Sequence, residues 1–107
     1  MKLIYKHNLS KSISYKKIDN FLIRLQEKYK DKIGNPNSYW NLDHTRMFFS
    51  VDIVDFNTKG MIHLNKDQIV LEGELPFLAS MFSGTIKKMI KEQFEALLSN
   101  PLQQKHL

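Results

Sequence analysis

The sequence predicts a two-layer α+β fold: an antiparallel sheet of four to five strands with two amphipathic helices on one face, in the order β-α-β-β-β-β-α. Three observations carry this reading. Between residues 14 and 33, Tyr15, Ile18, Phe21, Leu22, Leu25, Tyr29 and Ile33 fall on one stripe at 100° per residue, opposite Lys16, Lys17, Asn20, Arg24, Glu27 and Lys28. From Arg46 to Leu75 the apolar residues alternate, and the connections are too short for anything but antiparallel neighbours. After Pro76 the spacing becomes helical again and stays so to Leu98.

Taken in order, Leu3 to Leu9 alternates as a short half-buried strand, with Lys2, Ile4, Lys6 and Asn8 on its other side. Ser10, Ser12 and Ser14 offer N-caps for the first helix, in which Ile23 is the one apolar residue out of phase. Gly34 suits a left-handed C-cap, and Asn35-Pro36-Asn37 stops continuation. Residues 39–42 read as a short strand, and Asp43-His44-Thr45 as a turn. Residues 46–53 read as a strong strand, Phe56-Asn57-Thr58 as part of the next turn, and residues 59–64 as a further strand. Asn65-Lys66-Asp67 closes a hairpin into residues 68–75. A tight corner at Leu75-Pro76-Phe77-Leu78 feeds the last helix, from about Ser80 to Leu98, whose inner face holds Phe82, Ile86, Met89, Ile90, Phe94 and Leu97, with Gln93 in the same stripe. Gly84 is expected to let that helix approach the sheet closely. Asn100-Pro101 ends it.

Both helices need one apolar sheet face, supplied by Met47, Phe49, Val51, Ile53, Ile62, Leu64, Ile69, Leu71 and Leu75. Phe49, Leu71, Leu25 and Ile86 are expected among the most buried residues. The opposite face would carry Arg46, Phe48, Ser50, Asp52, Lys59, Met61, His63, Gln68, Val70, Glu72 and Glu74, and a two-layer fold leaves it open.

At 107 residues, with 42% apolar and 25% charged residues, the chain reads as one domain over residues 1–99 and a frayed tail over 100–107. No apolar run approaches the roughly 18 residues that span a bilayer, and Leu3-Ile4-Tyr5 is too short for a signal peptide. The absence of cysteine excludes disulfides, thiolate catalysis and cysteine-based zinc sites. A cytoplasmic protein is the expectation. The net charge of +5 is uneven: residues 1–32 hold nine Lys/Arg against three acids, whereas the remaining 75 residues are nearly balanced. Lys6, Lys11, Lys16, Lys17, Arg24 and Lys28 therefore form a candidate anion-facing surface.

No catalytic constellation is visible, and no cofactor is expected. His7, His44, His63 and His106 lack ligand spacing, and only His7 and His63 lie where strands could bring them together. Ser83-Gly84-Thr85 lacks the leading glycine and the Gly-Lys-Ser/Thr ending of a phosphate loop. Asp52, Glu72 and Glu74 on the open face fit ordinary solvation of a sheet. The candidate partner surface is Phe48, Met61 and Val70, with His63, on that face: an apolar centre rimmed by Arg46, Lys59, Glu72 and Glu74 that could pair two copies about a two-fold axis.

With the elements placed, the chain resembles the polyhydroxyalkanoic acid system family of small bacterial proteins over about residues 3–98. The resemblance rests on Tyr5-Lys6-His7-Asn8-Leu9, on Tyr39-Trp40, on Glu74-Leu75-Pro76-Phe77-Leu78, and on Gly84-Thr85-Ile86 with Ile90. Where the family more often has a basic residue and leucine before the glycine, Met81-Phe82-Ser83 stands here. The resemblance implies a place in or near polyester granule metabolism and transfers no catalytic residue. The reading is a non-enzymatic binding protein, acting on another protein or on a granule or lipid surface. The alternative is a small nucleic-acid-binding domain that uses the basic first third, with affinity falling steeply in salt.

Overall fold

The computed structural model describes residues 2–74 and 83–98. It shows β1 (Lys2–Lys6), α1 (Lys11–Asp19), α2 (Phe21–Lys28), β2 (Ile33–Trp40), β3 (Arg46–Ile53), β4 (Phe56–Leu64), β5 (Gln68–Glu74) and α3 (Ser83–Leu98). The five strands form one antiparallel sheet in the order β1-β5-β4-β3-β2. The chain starts at one edge, crosses the sheet through α1 and α2, and begins β2 at the far edge. The meander β2-β3-β4-β5 then returns to pair with β1. The α+β class, the element order and the open antiparallel sheet are those read from the sequence.

Two helical segments stand where the apolar stripe suggested one. Ser10 is the N-cap of α1, its hydroxyl accepting from the Ile13 amide at 3.2 Å. The helix therefore starts at Lys11, before Ser14. The break falls at Asn20 (φ −97°, ψ 1°), whose side-chain amide donates to the Lys16 carbonyl at 3.3 Å, and whose own carbonyl accepts from Arg24. A side chain competing for helical backbone groups is the usual reason Asn sits at such junctions. The stripe survives the break: Ile18, Phe21, Leu22 and Leu25 are buried, Tyr15 and Tyr29 are half-buried, and Ile23 is exposed.

The second helical segment ends at Lys28, and Ile33 opens β2 opposite Ile53. The expected Gly34 cap is thus a correction: no described glycine has positive φ, and Asn35 carries it instead (φ 49°). Pro36 lies in a strand, which it tolerates because β2 is an edge strand and the register shifts between Gly34 and Asn37. At the other end of β3, the two-residue turn Val54-Asp55, both left-handed (φ 50° and 68°), lets β4 begin at Phe56, so residues 56–58 are strand and not turn.

The core lies between the helices and one sheet face, where Met47, Val51, Ile53, Ile62, Leu64, Ile69 and Leu71 meet Ile18, Phe21, Leu25, Ile86, Ile90 and Phe94. Phe94 is its hub, with ring centroids 4.8 Å from Phe21 and 5.9 Å from Tyr5. Leu71, Leu25 and Ile86 are 1–2% exposed and Phe49 is 9% exposed. Phe49 lies over Gly60, its partner on β4. Gly84 is exposed, with open space where a side chain would be, so it makes no close helix-sheet approach. Gln93 is buried in the α3 stripe. The expected corner at residues 75–78, the contributions of Leu75 and Phe82, the helix start at Ser80 and the tail over 100–107 lie outside the described residues.

Candidate functional site

Strand pairing sorts the second sheet face into rows. One row runs Tyr39, Phe48, Met61, Glu72, Lys2 from the β2 edge to the β1 edge. The next runs Arg46, His63, Val70, Ile4, and on the other side lie Asn37, Ser50, Lys59 and Glu74. Among the described residues no helix covers this face, since the helices and the buried core cluster lie on the other.

Phe48 and Met61 are direct cross-strand partners, both half-buried. Val70 is diagonal to Met61, not beside it; its direct partner on β4 is His63. It is also only 8% exposed, so it supplies a floor and not a contact. The sequence reading missed the two residues that complete the strip. Tyr39, 68% exposed, stacks on Phe48 with centroids 5.3 Å apart and planes at 23°. Ile4, 55% exposed, pairs with Val70 at the opposite edge. Tyr39, Phe48, Met61, Val70 and Ile4 thus form an apolar diagonal across all five strands. The parity of β2 was the available signal for Tyr39, and it was hidden by Pro36. Ile4 was legible as the apolar residue on the polar side of β1.

Beside this diagonal runs a shallow groove. One part, about 810 Å³, lies among Phe48, Met61, Lys59, Glu72 and Glu74. A second part, about 340 Å³, lies among Tyr39, Phe48, Asn37 and Ser50. One wall is therefore apolar, and the other carries amide, hydroxyl and ammonium donors together with the Glu72 and Glu74 carboxylates. At the far end of the face Asp52 accepts from Asn35 Nδ2 at 2.7 Å and Asn57 Nδ2 at 3.1 Å. These bonds, Asn35 first, hold its carboxyl below the usual aspartate range.

The basic residues do not converge. Lys6 is on the exposed side of β1, Lys11, Lys16 and Lys17 are on α1, and Arg24 and Lys28 are on α2 in the other layer, with Lys28 Nζ 5.6 Å from the Tyr29 ring. His7 and His63 do not meet in register: His63 pairs with Val70, while His7 lies beyond the β1 pairing and accepts the Leu9 amide on Nδ1 at 3.0 Å. Among the described residues no three His, Asp or Glu side chains are grouped to hold a metal, and no helix is long and apolar enough to cross a membrane.

The fold and the face define a class: a small α+β protein with one helix-covered sheet face and one face that no described helix covers. Within that class the chain belongs to the polyhydroxyalkanoic acid system family. The family model, described as "Putative polyhydroxyalkanoic acid system protein", matches residues 1–98. No curated protein and no solved structure matches the chain.

Proposed function

We propose that the protein is a non-enzymatic accessory protein of polyester storage, working in the cytoplasm by laying its open sheet face on the granule surface. The observation that carries this reading is the apolar diagonal from Tyr39 to Ile4 on a face that no described helix covers. The family description names a polyhydroxyalkanoic acid system, which supports a polyester as the partner; such a polymer presents alkyl groups and ester carbonyls in alternation. Alkyl groups suit the wall of Tyr39, Phe48 and Met61, and ester carbonyls suit donors such as Ser50 Oγ and Lys59 Nζ. Contact with such a surface draws on burial of apolar area, about 25 cal/mol per Å² before ordering costs. Away from granules the same strip, flanked by charges of both signs, pairs two copies.

The test is co-sedimentation with native polyester granules from a lysate. Retention that survives 0.5 M salt, where the Debye length falls to roughly 4 Å, is the expected result. Release into the supernatant at every salt concentration would remove the reading.

A further inference from the structure

Leu42 is fully exposed (102% of its reference area), on a turn that is firmly held. Asn41 Oδ1 accepts from the amides of Thr45 and Arg46, both at 2.9 Å. Asp43 Oδ1 accepts from the Thr45 hydroxyl at 2.6 Å and its amide at 3.2 Å. The Asn41 amide donates to the Arg46 carbonyl at 3.0 Å, and the His44 amide to the Asn41 carbonyl at 3.1 Å. His44, in the left-handed region (φ 57°), stacks on Tyr15 at 4.4 Å, and Tyr15 meets Trp40 edge-on at 4.8 Å. The turn is thereby clamped to α1, and its ordering cost is met within the fold before any contact is made.

The surroundings of this turn are cationic. Thr45 shares the lining of a cavity of about 950 Å³ with Lys11 and Lys66, so the turn, the start of α1 and the β4–β5 turn meet at one end of the molecule. Lys6 pairs with Gln68 just past the β4–β5 turn, and Arg46 follows Thr45 directly. Among the described residues the carboxylates at this end are Asp43, Asp67 and Asp19, whose Oδ1 accepts from Trp40 Nε1 at 2.9 Å. The Thr45 hydrogen bonds hold the Asp43 carboxyl below the usual aspartate range, with Lys11 contributing.

We propose that this end of the protein binds an anionic phospholipid surface, with Leu42 inserted among the acyl chains and Lys6, Lys11, Arg46 and Lys66 on the headgroups. One protruding leucine is far too little apolar area for a protein interface, which needs about 800 Å² per partner. A lipid layer accepts a single side chain, and cations beside it add attraction to anionic headgroups. Arg46 and Lys6 also border the sheet face assigned to polyester, whereas Leu42, Lys11 and Lys66 lie on turns and on α1 outside it, so the two proposals are tested through different residues.

The experiment uses the full chain and vesicles of phosphatidylglycerol and phosphatidylcholine, some carrying brominated acyl chains. Trp40, the only tryptophan, lies two residues from Leu42 and reports contact by quenching. At about 50 mM salt the wild type should float with anionic vesicles and be quenched, and should be released at high salt. Leu42→Asp should bind about tenfold more weakly or worse, and Leu42→Ala several-fold more weakly. Lys11→Glu with Lys66→Glu should do the same, while Phe48→Glu should stay within twofold of wild type. Wild type that ignores anionic vesicles at low salt overturns the proposal, as does a Leu42→Asp variant that binds within twofold. A dimer that depends on Leu42, without vesicle binding, would assign the tip to a second copy and also overturn it. Vesicle binding without polyester binding would leave this proposal standing and remove the earlier one.

Discussion

Gly60→Ala tests how closely β3, β4 and β5 pack on the helix side of the sheet. A Cβ at position 60 would sit 2.6 Å from Phe49 Cζ and press on the Glu72 carbonyl oxygen. Neither neighbour gives way freely: Glu72 O is backbone in the centre of the sheet, and Phe49 is held between β3 and the helical layer. Overpacking of this kind costs about 1–3 kcal/mol, and backbone involvement places the value at the upper end. For a chain of this size 3 kcal/mol lowers the melting temperature by roughly 12–24 °C. In urea the midpoint should fall by about 1 M or more at unchanged slope. Phe49→Leu in the Gly60→Ala background should recover the part due to the ring and leave the part due to the carbonyl, a non-additivity a double-mutant cycle reads directly. A loss below about 0.5 kcal/mol for Gly60→Ala would mean that the Phe49 ring does not rest on the β4 backbone.

Three other perturbations follow from the same structure. Asp55→Gly, at an exposed turn position with φ 68°, should raise stability by up to about 1 kcal/mol, read as a higher urea midpoint. Because Asp52 has its pKa lowered by Asn35 and Asn57, its contribution is present above the unfolded-state value of about 3.9 and is lost as pH falls through the folded-state value. Asp52→Asn should therefore be less stable than wild type at pH 7 and indistinguishable from it in strong acid, as followed by thermal melts across pH. Ser10→Ala, which removes the α1 cap, should cost about 1 kcal/mol by the same melts.

The pattern of hydrophobic residues carried most of this architecture. Residues 46–53 keep one buried parity throughout, residues 68–74 keep it except at Val70, and α3 has one stripe, so each strand or helix face could be assigned without knowing its neighbours. Where local chemistry competes with period, the reading shifted. Asn20 lies on the polar side of a stripe that continues past it, so its bond to the Lys16 carbonyl leaves no trace in the pattern. Gly34 and Pro36 are signals for a helix stop and a break, yet an edge strand with a register shift accommodates both. Val54-Asp55 departs from the usual Asn-Gly of a two-residue hairpin, which is why the start of β4 was placed too late. On the candidate face, Phe48 and Met61 were legible from parity, whereas Tyr39 depended on recognising β2 in full. The fixed presentation of Leu42 arises from side-chain bonds of Asn41 and Asp43, which spacing does not encode.

The most direct test of the polyester reading is adsorption of purified wild type and Phe48→Glu to amorphous polyhydroxyalkanoate particles free of lipid and of other proteins. Phe48 is half-buried on the open face and outside the core cluster, so the substitution should leave the circular dichroism spectrum unchanged. Wild type should adsorb, and Phe48→Glu should adsorb about tenfold more weakly or worse, since a charge would then interrupt the diagonal between Tyr39 and Met61. Equal adsorption of the two folded proteins, or none by wild type, would contradict the polyester reading.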